Sequence, residues 1–231
     1  MGTLYIVSTP IGHLSDISYR AIETLGSVDL ILSEDTRRTG ILLTRYAIKT
    51  PQERYDEYVE ERKIPLVLSL LRDGKNIALV SSAGTPLISD PGYKLVRSSV
   101  AANIPVIAIP GPSSVLTALT VSGLPPDKFL FLGFLPKKEG KRKKILISIH
   151  EMGKSMNMTV LLFESPFRIK RTISELLDTF GKDVPCAVAK ELTKIHEEVY
   201  RGNLEELSYW ADKPSFKGEY TIVFSLEKEQ V

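Results

Sequence analysis

The stretch that decides the fold is SSAGTPLISDPG, residues 81–92. It overlaps the end of the apolar segment NIALVSS, residues 76–82, and continues beyond it. A short apolar segment of this kind is typical of a buried strand. The glycines and prolines after it favour tight, fixed turns, and glycine also lets the backbone approach a ligand closely. The stretch therefore predicts a ligand-binding loop at the end of a strand.

The same pattern repeats on both sides of this stretch. LYIVS (4–8), DLILSED (29–35) and PVIAIPG (105–111) are further predicted strands, and helical spacing of apolar residues predicts helices at 17–28, 40–48, 93–102 and 113–123. This alternation favours a parallel sheet with helices on both faces. Two more punctuated loops, TPIGHLSD (9–16) and PGPSS (110–114), also follow strands. One such loop alone would be an ordinary turn, but three at strand ends predict a shared binding site.

The second half begins with LPPDKFLFLGFLP (124–136), where two prolines and an apolar run break the rhythm. We place the domain boundary there, which gives domains 1–123 and 124–231. Strands are predicted at 158–164, 186–192, 197–202 and 218–226, with helices at 168–180 and 204–212. The expected fold class is α/β, with two α/β domains.

Composition fits a globular protein with a core in each half. The 231 residues are 43 % hydrophobic and 25 % charged. The single cysteine, Cys186, excludes an intramolecular disulfide and is interpreted as a buried thiol in a reducing compartment. MGTLYIVSTPIG lacks the basic region of a signal peptide, and no apolar run approaches the ~20 residues of a membrane span. We expect a cytoplasmic protein without a membrane partner.

Several kinds of chemistry have no motif in this chain. The sequence contains no Walker A pattern, no G-x-G-x-x-G after the first strand, no C-x-x-C, no H-E-x-x-H and no G-x-S-x-G. His13, His150 and His196 are far apart in sequence. We therefore expect neither a nucleotide-phosphate cradle nor a metal site.

Positive charge is concentrated in one segment. Residues 1–125 hold 12 Lys and Arg against 12 Asp and Glu, whereas residues 126–231 hold 18 against 16. KKEGKRKK (137–144) carries six positive charges and one negative. It is interpreted either as a flexible basic loop that grips RNA phosphates or as a solvated surface loop, and charge alone does not decide between the two.

Nine segments together resemble the rRNA small-subunit methyltransferase I family. They are LYIVSTPIGHLSDIS, SEDTRRT, ALVSSAGTPLISDPGYKLV, PGPSSVLTAL, SGLP, FLFLGFLP, FESPFRI, KELTKIHEEVYRGNL and KGEYTIVF, and they run in order from Leu4 to about Leu226. The resemblance implies 2′-O-methylation of a cytidine in 16S rRNA, cytidine 1402, with S-adenosylmethionine as cofactor. It also implies the tetrapyrrole-methylase (class III) fold with the cofactor between two domains, a homodimer, and the small ribosomal subunit as partner.

The chain departs from the family pattern in three places. His13 stands where the first loop usually has Asn, and Ser82 replaces an acidic residue of the third-strand loop. YDEYV (55–59) lacks both histidines of the usual segment. The last difference removes any histidine-based catalysis from that segment.

The resemblance also implies roles for individual residues. The implied cofactor contacts are Pro10, Ile11, Ala83, Gly84, Thr85, Ile88, Ser114, Val115, Phe163, Ala189 and Lys190. The catalytic candidates are Asp35, Arg37, Glu164 and Arg168, with Glu34, Lys190 and Glu191 as further polar candidates. The RNA-binding candidates are Arg38, Lys137, Lys138, Lys141, Arg142, Lys143 and Lys144. Asp35 and Arg37 could equally form a helix cap and a surface ion pair, and Glu164 is expected to pair with Arg168 because an unpaired buried carboxylate is costly.

Two other functions remain open on the sequence. A methylase of tetrapyrrole precursors would share the fold but needs an apolar trough rather than a basic rim. A catalytically inactive RNA-binding module would have no use for the three punctuated loops.

Overall fold

The computed structural model describes residues 1–211 and 217–227, which form two compact α/β units. The first unit spans Met1–Ser113. Its elements are β1 (Leu4–Val7), α1 (Tyr19–Ser27), β2 (Leu30–Ser33), α2 (Thr36–Arg45), β3 (Gln52–Arg54), α3 (Glu60–Arg72), β4 (Ile77–Val80), α4 (Tyr93–Ala101) and β5 (Val106–Ile109). The sheet has the order β3-β2-β4-β1-β5, and every pair is parallel, as predicted.

Helices cover both faces of this sheet. Successive side chains of each strand point to opposite faces, and apolar side chains are present on both faces. One buried cluster joins strand residues to α1 and α2, and it includes Val7, Ile31, Val80, Ala21, Leu25 and Leu42. The other joins the opposite strand face to α3 and α4, and it includes Leu32, Ile77, Leu79, Val67, Leu71 and Leu95. The predicted two-sided core of the first half is confirmed.

The second unit begins at Ser114. Its elements are α5 (Ser114–Ser122), β6 (Phe129–Phe134), α6 (Glu139–Ser155), β7 (Thr159–Glu164), α7 (Ile169–Phe180), β8 (Pro185–Lys190), β9 (Glu198–Asn203), α8 (Leu204–Trp210) and β10 (Tyr220–Ser225). The sheet has the order β6-β7-β10-β8-β9. Only β6 and β7 pair in parallel, and the remaining neighbours are antiparallel.

The chain divides after Ser113, one helix earlier than the predicted boundary after Gly123. The reason is that α5 packs on β8, β9 and β10 and so belongs to the second unit. Helices α6, α7 and α8 contribute to the apolar cluster of the second unit together with the opposite strand face. The helix predicted at 204–212 ends at Trp210, and Asp212 lies outside the described residues.

The prediction of a flexible basic loop at 137–144 was wrong. Residues 139–144 form the first turns of α6, and Arg142 within them is 2 % exposed. Its guanidinium pairs with Glu175 of α7 and donates from Nη1 to the carbonyl oxygens of Pro136 (2.9 Å) and Lys137 (3.0 Å). Arg142 therefore holds the backbone before α6 and is not available to RNA, contrary to its assignment as an RNA contact.

Cys186 is a buried free thiol of β8, as expected. Burial first, and the charge of Glu206 second, raise the pKa of this thiol to about 12. No helix within residues 1–211 and 217–227 combines the length and apolar character needed to cross a membrane.

Candidate functional site

The three punctuated loops of the first unit meet at one edge of its sheet. They follow β1, β4 and β5, which are adjacent parallel strands, so their carboxyl ends share an edge. Thr9 and Gly84 form a two-way backbone bridge, with Thr9 N donating to Gly84 O (2.9 Å) and Gly84 N to Thr9 O (3.0 Å). Ser8 Oγ donates to Thr85 Oγ1 (3.2 Å), which donates to Pro112 O (3.1 Å). The structure thus brings together the loops that the sequence predicted as one site.

Glycine is required at the centre of this cluster. Gly84 has φ +79°, and a Cβ there would lie 3.3 Å from Ile11 Cγ2 and 3.8 Å from Pro112 O. Leu87 (φ 73°) and Ser89 (φ 65°), which follow Gly84 in the same loop, also adopt the left-handed region despite their side chains. Such conformations cost about 1–2 kcal/mol each and cluster at functional loops. The loop is held in a shape that its own residues do not prefer.

A carboxylate from the neighbouring strand fixes this loop at its start. Glu34, which follows β2, accepts a hydrogen bond at Oε2 from the backbone N–H of Ser82 (2.8 Å). Ser82 itself lacks the acidic side chain that the family pattern has at this position. The carboxylate beside the loop is therefore that of Glu34, and it acts on the backbone.

Asp35 caps α2, which is one of the two interpretations left open by the sequence. Its Oδ1 accepts from Arg37 N (2.9 Å), and its Oδ2 pairs with Arg37 Nη2 (2.9 Å). The hydrogen bonds from the Arg37 side chain and backbone lower the pKa of Asp35 to about 2. The side chain of Arg37 is 89 % exposed, and Arg38 is exposed as well. Both guanidinium groups are therefore accessible from solvent.

Three of the implied contacts in the second unit, Phe163, Ala189 and Lys190, lie near the carboxyl ends of strands in its sheet. Strands β6, β7 and β8 run in the same direction, because β7 and β8 are both antiparallel to β10 and β6 is parallel to β7. Phe163 and Ala189 lie on either side of Thr221, and Lys190 lies one position beyond Ala189. The two α5 residues implied as cofactor contacts, Ser114 and Val115, begin a helix that packs on β8 and β10.

Glu164 and Arg168 form the expected pair, at 3.3 Å. Glu164 is 2 % exposed and also accepts from Ser165 N (2.7 Å) and from Thr172 Oγ1 of α7 (2.6 Å). Arg168 Nη2 donates to Leu135 O (2.7 Å), so the pair ties the turn after β7 to the segment after β6. Thr172 was not predicted as part of the site, because nothing in its local sequence marks it as a partner of Glu164.

The loop after β8 is strained and held by charge. Glu191 (φ 50°) and Thr193 (φ 62°) adopt the left-handed region. This conformation is especially unusual for Thr193, which is β-branched. Glu191 Oε1 accepts from Lys194 Nζ (2.8 Å) and from Glu219 N (2.9 Å). Burial opposes ionisation of Glu191, but the hydrogen bonds from Lys194 and Glu219 lower its pKa below the usual range. Lys190 Nζ pairs with Glu198 at 3.3 Å.

All five predicted RNA-binding lysines are exposed around the start of α6: Lys137, Lys138, Lys141, Lys143 and Lys144. Lys143 pairs with Glu139 at 3.2 Å. Within the described part of the chain, no cluster of three or more His, Cys, Asp or Glu is placed to hold a metal ion.

The fold and its strand-end loops define the class of protein. A model of the family described as Tetrapyrrole (Corrin/Porphyrin) Methylases matches residues 3–208. The chain therefore belongs to this family and is a methyltransferase. It is 45 % identical over 225 residues to the Ribosomal RNA small subunit methyltransferase I of Thermotoga maritima, covering 97 % of this chain and 99 % of that protein.

Solved structures agree with the fold. A cobalt precorrin-4 methyltransferase of cobalamin biosynthesis superposes with a TM-score of 0.69 at 18 % identity, over 98 % of this chain and 96 % of that one. The uroporphyrin-III C-methyltransferase of Thermus thermophilus, solved with S-adenosylhomocysteine, gives 0.64 at 18 % identity, over 96 % and 97 %. At this identity the likeness concerns the fold alone.

Proposed function

We propose that this chain transfers the methyl group of S-adenosylmethionine to the ribose 2′-hydroxyl of a cytidine in 16S rRNA of the small ribosomal subunit. The resemblance points to cytidine 1402. The observation that carries the proposal is the assembled three-loop edge of the first unit, in a chain 45 % identical to an enzyme named for small-subunit rRNA methylation. The proposal includes a cytoplasmic location, in keeping with the single free cysteine, and a homodimer, which the resemblance implies.

The residues at both edges suit the proposed methyl donor. Adenine and a methionine tail need apolar walls together with backbone donors and acceptors. Ile11 and Val115 are buried apolar residues, and the absence of a side chain at Gly84 leaves the backbone open to close approach. When bound, S-adenosylmethionine supplies a methyl group already activated by its sulfonium. The proposed contacts on the first unit are Pro10, Ile11, Ala83, Gly84, Thr85 and Ile88, and those on the second are Ser114, Val115, Phe163, Ala189 and Lys190.

The chain's own contribution is alignment more than proton abstraction. A general base works best when its pKa lies near the operating pH. Asp35, with its pKa at about 2, is a weak base, and the carboxylate of Glu164 is engaged by Ser165, Thr172 and Arg168. We therefore assign Glu164 and Arg168 as positioning residues of the second edge. Holding the attacking oxygen in line with the methyl group can supply several kcal/mol of the barrier reduction.

Exposed cations supply the grip on RNA. Arg37 and Arg38 lie at the first edge, and Lys137, Lys138, Lys141 and Lys144 surround the start of α6. No ion pair joins any of these four lysines to another residue in ranges 1–211 and 217–227, so their charge is available to phosphate. Arg37 pairs with Asp35, yet its side chain remains 89 % exposed. We assign to Arg37 the role of orienting the target ribose.

Methylation of a tetrapyrrole precursor is the competing function, because the two solved structures described above are named for it. The 45 % identity to an enzyme named for small-subunit rRNA methylation favours RNA instead, since exposed cations alone would also suit the carboxylates of a tetrapyrrole precursor. A macrocycle substrate would need a broad apolar surface at the same place.

The test is methyl transfer by the purified protein from radiolabelled S-adenosylmethionine to small subunits or 16S rRNA that lack the modification, with uroporphyrinogen III in parallel. We expect label in RNA as an alkali-resistant dinucleotide, because a 2′-O-methyl group blocks cleavage at that ribose. Folded Gly84→Val protein serves as the inactive control. Label on the macrocycle, or on an RNA base with the ribose unmodified, would overturn the proposal.

An Arg37→Ala variant tests the role of that residue in the same assay. We expect the maximal rate at saturating RNA to fall more than RNA affinity, since an orienting contact acts in the transition state. Arg38→Ala is the matched control, and there the loss should appear mainly in RNA affinity.

A further inference from the structure

One aromatic side chain of the second unit stands out by its exposure. Phe167 is 96 % exposed and lies in the turn between β7 and α7. Leaving a phenylalanine in water is unfavourable, because burial would remove its apolar ring from water. A single exposed apolar residue is common on protein surfaces, so its surroundings decide whether it has a role.

The turn that carries Phe167 is anchored on both sides. Glu164 accepts the backbone N–H of Ser165 before it, and Arg168 after it donates to Leu135 O (2.7 Å) while pairing with Glu164. Arg168 N also donates to Ser165 O (3.1 Å), which closes the turn itself. The ring is therefore presented from a fixed backbone, and an exposed aromatic on a fixed turn is a prepared surface for stacking.

The surroundings of the ring carry charges of both signs. Phe167 lines a surface groove of about 550 Å³ together with Lys143, Lys170 and Arg171. The groove also contains Glu139, Glu175 and Asp178. Arg171 forms ion pairs with both Glu139 (2.8 Å) and Glu175 (3.1 Å). The buried guanidinium of Arg142 forms a second ion pair with Glu175.

Further cations lie on the segment next to this turn. Lys137 and Lys138 follow β6, whose end is tied to the turn through Leu135 and Arg168. Arg142 fixes the backbone carbonyl of Lys137, so it helps to present the lysines that the sequence had grouped with it. Aromatic rings flanked by lysines are the combination with which proteins hold single-stranded nucleic acid, by stacking on bases and pairing with phosphates.

We propose that Phe167 stacks on an unpaired base of the substrate RNA, next to phosphates held by Lys137 and Lys138. The proposal rests on the proposed function and adds a base-stacking contact to it. Sequence-specific RNA recognition uses unstacked bases in this way. A protein or lipid partner fits less well, because a single exposed ring set among charged residues offers either of them little area to bury.

The first experiment compares Phe167→Ala with the unchanged protein in binding a short single-stranded RNA that carries the target cytidine. Base–aromatic stacking is worth about 1–3 kcal/mol, so Kd should rise roughly 5- to 150-fold. The slope of log K against log salt should stay unchanged, whereas Lys137→Ala with Lys138→Ala should make it shallower by about 1–2 units. Tyr209→Ala, which removes another exposed ring (69 %) on α8, is the matched control and should leave Kd unchanged.

A second variant reports the stack directly. Phe167→Trp keeps a stacking ring, and the native tryptophan, Trp210, is 8 % exposed and contributes a shielded background. We expect saturable quenching of the new fluorescence by the RNA and protection of that fluorescence from iodide. Wild-type Kd in Phe167→Ala, or unchanged emission of Phe167→Trp at saturating RNA, would overturn the stacking contact while leaving methyl transfer intact. Conversely, a protein that stacks RNA on Phe167 but transfers no methyl to it would refute the proposed function alone.

Discussion

Replacing Gly84 by alanine separates the cost of a strained backbone from the loss of a binding site. Gly84 (φ +79°) and Gly74 (φ +90°) both adopt the left-handed region, and both belong to the first unit. A Cβ at Gly84 would press on Ile11 at 3.3 Å, whereas a Cβ at Gly74 would meet nothing within 4 Å. Gly74→Ala is therefore a matched control, with the same backbone strain and no crowded neighbour.

The two variants should lose similar stability. Left-handed alanine costs about 1–2 kcal/mol, and at this chain length 1 kcal/mol corresponds to about 2–4 °C in Tm. Both proteins should therefore unfold roughly 2–8 °C below the wild type. In Gly84→Ala alone, Ile11 must also move by a few tenths of an ångström, at the loop that bridges to Thr9. One or two disturbed hydrogen bonds to the methyl donor would cost about 1–2 kcal/mol, or roughly 5- to 30-fold in its Kd.

The assay is calorimetric titration with S-adenosylmethionine beside thermal unfolding. We expect weakened binding in Gly84→Ala and wild-type binding in Gly74→Ala at nearly equal Tm. Gly84→Val should abolish measurable binding while remaining folded, because a β-branched residue is disfavoured further at positive φ. Equal affinity in both alanine variants would refute the assignment of the three-loop edge as the donor site.

Three further predictions concern charge and metal. Arg142→Ala should lower the free energy of unfolding by about 3–5 kcal/mol in urea titrations, because it removes the buried ion-pair partner of the Glu175 carboxylate. The control Lys141→Ala should change the free energy of unfolding by less than about 0.5 kcal/mol. Asp35 has a lowered pKa, so its stabilising contribution is present at neutral pH and is lost as pH falls towards about 2. Carboxyl NMR should show that midpoint in the wild type and a higher one in Arg37→Ala, still below the ordinary ~3.9 because the backbone N–H groups of residues 37 and 38 remain. Methyl transfer should proceed in EDTA with pre-folded RNA, since a sulfonium donor needs no Lewis acid, and a loss restored by magnesium would contradict this.

The alternation of strands and helices was predictable because its signals are local. Segments such as LYIVS and NIALVSS are apolar over one strand length and end in proline or glycine, so both the strand and the loop after it are marked in the sequence. Parallel pairing then places the loops after β1, β4 and β5 at one edge without further information. This is why the three-loop cluster could be predicted before the structure.

The elements that escaped prediction lack a local signal. Strand β3 is the polar tripeptide Gln-Glu-Arg, and α3 contains Pro65, which removes a backbone donor from a helix interior. The burial of Arg142 depends on Glu175, 33 residues further along the chain, so charge counting grouped it with solvent-exposed lysines. These features depend on contacts with residues distant in sequence, and neither composition nor periodicity identifies such contacts.

The glutamates of both edges share a use that bears on mechanism. Glu34 accepts the N–H of Ser82, Glu60 that of Gly92 (3.1 Å), Glu164 that of Ser165 and Glu191 that of Glu219. Each carboxylate fixes the backbone of a loop that follows a strand or precedes one. Loops held in a fixed geometry suit the transfer of a methyl group that needs no further activation.

A pair of substitutions at Glu34 tests that reasoning. Glu34→Gln keeps an oxygen that can accept the Ser82 N–H, so the maximal rate should stay within a few fold of the wild type. Glu34→Ala removes the acceptor. The affinity for S-adenosylmethionine should fall by up to about 10- to 150-fold, because one hydrogen bond to a charged acceptor contributes about 1.5–3 kcal/mol. A general base contributes about 10²–10⁴-fold to a rate. If Glu34→Gln lost rate on that scale at unchanged affinity for the methyl donor, Glu34 would be acting on a proton, and positioning of the loop would not be its main task.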